Sequence, residues 1–171
     1  MRSNRFTVLI DANSSDVILH GAPAIGSRVL VFLTLNLDRG CRQWGYSSRR
    51  QALSLSQAGS SLTTFVGRIL EVQAVPFMNE RVHHVEFLLD CGVPVTAFSL
   101  TSARSRTIEA GGYLSGIGHL FGHLDGGGLT LARGIDALVQ SVGNLSPDET
   151  TPQDDWLTVV LSIDTTLADN R

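Results

Sequence analysis

Apolar and polar residues alternate with a period of two in at least six segments of this 171-residue chain, and no long segment carries the 3.6-residue period of an amphipathic helix. Such a pattern restricts the chain to sheet architectures. It is densest in residues 62–75, 82–90, 93–100 and 113–124. In the first of these runs Phe65, Gly67, Ile69, Glu71 and Gln73 share one parity, and Val66, Arg68, Leu70, Val72 and Ala74 share the other. Both sets contain apolar residues, which predicts one face in a core and the other partly covered. Pro76 removes a backbone donor and is expected to end the run, with a turn at Asn79 and Glu80. Asp90, Cys91 and Gly92 join two apolar runs and predict a hairpin. Residues 101–110 read as a loop or a short helix. The glycines at 116, 118 and 122 predict bends inside a strand, which a small closed barrel needs.

A long strand containing a glycine (65–72, around Gly67), the hairpin at Asp90–Gly92, a connector, and the glycine-laden run 112–118 together resemble the OB-fold. Residues 129–139 supply the last barrel strand in that comparison. The resemblance covers residues 60–140 at the level of fold and implies neither a specific family nor a catalytic residue. The predicted class is all-β: a small OB-like barrel with extra N- and C-terminal strands. A single domain spans 1–171. Residues 1–38 hold N-terminal strands at 6–10, 17–19 and 27–37, and 39–61 form a long basic loop. The barrel-like core is 62–140, with 135–142 a short helix or a strand. An acidic linker occupies 144–155, and a C-terminal strand 156–163. No internal repeat is legible.

In that last strand Leu157, Val159, Leu161 and Ile163 share one parity and must be buried. Left on an exposed edge such a strand invites aggregation, so it closes onto its own sheet or adds to a neighbour's. The second outcome makes the chain a homo-oligomer, and that is the outcome expected.

Charge separates along the chain. Residues 1–38 hold three arginines and three acids, 39–106 hold eight and four, and 107–171 hold two and nine. The net charge of −3 therefore hides a basic middle and an acidic end. Every basic residue is Arg, which excludes lysine-dependent chemistry such as a Schiff base or a phosphate-loop lysine. Cys41 and Cys91 lie far apart with no C-x-x-C and read as free thiols of a reducing compartment. With no basic-then-apolar leader and no membrane-length apolar run, a soluble cytoplasmic protein with no membrane association is expected.

The stretch 39–50 carries the clearest functional signal. Arg39, Arg42, Arg49 and Arg50 attract phosphates, and Trp44 and Tyr46 can stack on bases, the two terms that single-strand binders combine. Arg68, Arg104 and Arg106 extend the candidate nucleic-acid-binding set within the same basic third. Against this stands a solvated loop whose Trp44 packs down on the barrel. His119 and His123 are four apart, about 13 Å on a strand, too far to share a metal ion. His83 and His84 point to opposite faces. No Ser sits in a G-x-S-x-G elbow, and Gly126 to Gly128 lacks the lysine of a phosphate loop.

No catalytic residue, metal or cofactor is therefore assigned. The first expectation is a non-catalytic binder of single-stranded DNA or RNA. The alternative is a structural or assembly subunit that meets protein partners through β edges, the C-terminal strand and the acidic C-terminal region. An enzyme of unrecognised type is third.

Overall fold

The computed structural model describes residues 3–77, 82–100, 108–126, 128–144 and 156–164. The chain is all-β. Among the described residues ten strands run in the order β1 (Ser3–Asp11), β2 (Arg28–Asn36), β3 (Cys41–Ser47), β4 (Ser54–Gln57), β5 (Leu62–Phe77), β6 (Val82–Asp90), β7 (Pro94–Leu100), β8 (Tyr113–His123), β9 (Gly134–Asn144) and β10 (Trp156–Asp164). The one helix among the described residues, α1 (Ser15–His20), stands where a short strand is expected from Val17, Ile18 and Leu19. Ser14 overrides their strand preference by capping the Val17 N–H, Asp16 lies in the first turn, and Gly21 ends the helix at φ 80°. Only Val17 of the three is buried.

Eight strands close a barrel: β1, β10, β9, β2, β7, β6, β5 and β8 follow one another, and β8 pairs with β1. This is a small OB-like barrel in architecture, with eight strands in place of the five of an OB-fold. β3 and β4 are additions that pair with β8 and β5. β10 lies between β1 and β9, so the C-terminal strand closes onto its own sheet and offers no free edge to another copy. Residues 135–142 fall within strand β9. β5 runs one residue past Pro76, to Phe77.

The long basic loop expected over 39–61 contains two strands. β3 escapes the sequence pattern because it is an edge strand with polar residues on both parities and Gly45 in the middle.

β2 and β8 also pair with each other across the ring, residues 32–35 against 120–123. They divide it into two circuits, and the circuits match. Exchange β1, β2, β5, β6 for β7, β8, β9, β10, in that order. The parallel pair β1–β8 becomes the parallel pair β7–β2. The antiparallel pair β1–β10 becomes β7–β6, and β9–β2 becomes β5–β8. β5–β6 becomes β9–β10, and each of these two pairs carries one register shift, at Ile69/Glu71 and at Val160/Leu161. Those shifts equate Ile69 with Val139 and Leu89 with Leu161. Counting three residues back equates Glu86 with Thr158, and the β7 and β1 partners of these two, Phe98 and Leu9, follow. The described strands thus form two interleaved halves related by a pseudo-two-fold axis. β3 and β4 are an insertion in the first half.

The inward parities fill the barrel. Phe65, Phe87, Leu33, Leu35, Leu114, Leu120, Val159 and Leu161 are all at or below 1% exposure. Both halves contribute. Truncating Phe65 or Phe87 to Ala costs about 3–5 kcal/mol.

Candidate nucleic-acid-binding face

The basic and aromatic candidates lie around one four-stranded part of the wall, β3–β8–β5–β4. Its registers align Trp44, Gly116, Phe65 and Leu55 across the strands. Phe65 is fully buried, and Trp44 and Leu55 pack against the core, so this row faces inward. The next row, Gly45, Ser115, Val66 and Ser54, faces outward. Two rows further lie Ser47, Tyr113 and Arg68, again on the outward parity.

Glycines bring these strands close together. A side chain at Gly116 would meet the Gln43 carbonyl, one at Gly118 the Cys41 sulfur, and one at Gly112 the ring of Tyr46. These glycines lie on the inward parity of β8, and the outward row of Gly45, Ser115, Val66 and Ser54 carries mostly small side chains. A shallow groove of about 370 Å³ runs between Gln43, Gly45, Thr64, Val66, Ser115 and Ile117. Beside it opens a concavity of about 750 Å³ whose walls carry Arg50, Arg68, Asp90 and Tyr113.

The candidates separate. Arg50 and Arg68 share the concavity, and Arg49 is exposed next to it in the chain, its N–H donating to Ser47 Oγ. Arg42 is exposed at the irregularity in β3, and Arg39 is exposed in the turn before that strand, its N–H donating to Asn36 Oδ1. These two lie at the far end of the seven-residue β3, about 20 Å from Arg50. Trp44 faces the core and is half-buried, and Tyr46, 37% exposed, lies over Gly112. Arg104 and Arg106 lie outside the described residues. Asp90 and Tyr113 are members of the concavity that the sequence does not single out. Only the register that sets both against Arg68 reveals them.

The remaining chemistry-bearing groups are held by the fold. His119 Nδ1 meets Ser61 Oγ at 2.8 Å and His123 Nε2 meets Thr34 Oγ1 at 2.9 Å. Burial lowers the His123 pKa, with partial opposition from Asp125 and Asp11. Burial also raises both thiols, Cys41 to about 12 and Cys91 further, with small contributions from Asp38 and Asp90. Both stay protonated at neutral pH and are poor nucleophiles. Among the described residues no three His, Cys, Asp or Glu side chains gather as metal ligands, and no helix is long and apolar enough to cross a membrane.

No protein-family model, curated protein or solved structure matches this chain. The class it belongs to is set by its fold: a closed all-β barrel of eight strands with two added edge strands.

Proposed function

We infer that this barrel is a non-catalytic binder of single-stranded nucleic acid, and that the strand lies along the outer face of β3–β8–β5–β4. The observation that carries the reading is the recess shared by Arg50 and Arg68, next to a groove with a small-residue floor. Guanidinium groups grip phosphate oxygens through paired N–H donors. A recessed floor lets a backbone approach closely. Arg49 and Arg42 are further exposed arginines near the two ends of β3.

The outward rows carry Ser, Thr, Val and Gly rather than exposed aromatic rings, and Trp44 is turned to the core. Affinity is then carried by phosphate contacts, is weakly dependent on sequence, and falls steeply with salt. Fluorescence anisotropy with a labelled single-stranded oligonucleotide at two or more salt concentrations tests this. Arg50→Ala with Arg68→Ala is expected to weaken binding to every sequence. The salt slope falls by about 0.7 for each phosphate that the variant no longer neutralises. Equal affinity and equal slope for wild type and the double variant reject the face.

A second reading rests on a different observation. β3 and β4 end the strand order, so each has an edge without a partner strand among the described residues. Such edges accept an added strand from another chain. A subunit that assembles through them forms oligomers in sedimentation even without nucleic acid.

A further inference from the structure

We propose that the recess between β6, β7 and the segment 128–130 is a binding site for a small planar organic cation, of the amidine or aminopyridine type, held by Glu86. The site is separate from the arginine face and shares no residue with it.

Glu86 lies on the outward parity of β6, yet it is only 2% exposed, because the β8–β9 connector folds across it. Its Oε2 accepts the N–H groups of Thr130 at 2.7 Å and Leu131 at 2.8 Å. Its Oε1 lies 3.2 Å from His84 Nε2. The His84 ring stacks on Phe98 with centroids 5.2 Å apart and 18° between planes. These groups, with Val75, His123 and Leu129, enclose a half-open cavity of about 250 Å³.

The pseudo-two-fold marks this cavity as a departure from the pattern of the fold. The residue equivalent to Glu86 is Thr158, and two positions before it Trp156 takes the place of His84. The Trp156 indole tilts against Phe121 at 5.2 Å. One half thus places an indole where the other places an imidazole beside a buried carboxylate.

The chemistry of the lining selects the ligand. An ionised carboxylate only accepts hydrogen bonds, and each oxygen has two lone pairs. Oε1, which lies close to His84 Nε2, therefore has lone-pair capacity for a ligand donor. No arginine is among the described residues that line the cavity, and the Glu86 carboxylate in its lining favours a cationic ligand over an anionic one. A cationic nitrogen meets the carboxylate, with the Phe98 ring among the lining side chains. The volume is below the roughly 300–1,000 Å³ of pockets for drug-sized ligands, so a single ring is the right size.

Three isosteric probes separate the possibilities: benzamidine, benzamide and benzoate, each titrated into the full-length protein at pH 8 and followed by amide chemical shifts and calorimetry. Benzamidine is expected to bind and to shift the amides of His84, Thr130 and Leu131. Benzamide should bind at least about tenfold more weakly, and benzoate not at all. Glu86→Gln retains a carbonyl that can accept the two N–H groups, and is expected to weaken benzamidine at least about tenfold without unfolding. His84→Trp copies the indole of the other half and should abolish binding. The proposal is overturned if benzoate binds as well as benzamidine, or if no probe perturbs these amides. It is equally overturned if both variants stay folded and bind as the wild type does. Oligonucleotide affinity, measured in parallel, reports on the arginine face and not on this cavity.

Discussion

Trp44 shows how one side chain can read two ways. Its neighbours in sequence are arginines, which suggests an aromatic that stacks on bases. Its register neighbours are Gly116 and Phe65, which place it on the core side of the wall. A half-buried indole contributes by covering apolar surface. Trp44→Ala is accordingly expected to destabilise the barrel by about 2 kcal/mol, below the 3–5 kcal/mol of a fully buried ring. Oligonucleotide affinity should change little. Urea unfolding and anisotropy on the same variant check both halves of that statement. A loss of affinity with unchanged stability would return Trp44 to the binding surface. Arg68 is the opposite case. Its alternation with Ile69 is legible, and an exposed arginine on a strand is what the parity implies.

At the scale of elements, β3 is the strand the chain least advertises. It exists because β8 presents glycines where β3 crosses it. A side chain at Gly116 would press on the backbone of Gln43, and backbone cannot swing aside as a flexible side chain can. Gly116→Val should lift β3 from β8 while the β5–β8 ladder, on the other edge, survives. Native-state hydrogen exchange should then show weaker protection at the β3 amides that bond to β8, with β5 still protected. Unchanged protection across Cys41–Ser47 would mean that β3 is held by something other than this ladder. The exchange pattern of the wild type also separates a paired β3 from the long loop that the sequence suggests.

The whole molecule is two interleaved halves. Within a half, only β4–β5–β6 or β9–β10 pair; the remaining barrel ladders join one half to the other. The halves meet at the turn around Gly92, which has φ 87° and is exposed. A chain cut there, as residues 1–91 and 92–171 produced together, should reassemble into one stable heterodimer, since the cut removes no ladder. Either piece alone leaves most of its strand edges unpaired and should be unfolded, aggregated or self-paired. Size-exclusion chromatography and far-UV circular dichroism of the pieces, separate and mixed, test this. Failure of the mixed pieces to associate would show that the covalent link at Gly92 is needed to bring the halves together.

Sequence alone determined the all-β class, most strand positions, the hairpin at Gly92 and the inward parity of β10, because alternation and turn chemistry are local and each strand carries its own record of them. It also marked Arg50 and Arg68 as basic residues. It did not put them in one recess, because that follows from β5 and β8 pairing at a particular register, a relation between residues some fifty apart. The helix at Ser15, the strand at Cys41 and the repeat of the halves also stayed hidden. A cap overrides propensity at α1, and an edge strand needs no apolar stripe. The equivalence of the halves is stored in which strands pair and at what register, while the side chains have diverged as far as Trp156 and His84. Closure of the ring decided the rest: β10, seated between β1 and β9, pairs along both of its edges within its own chain.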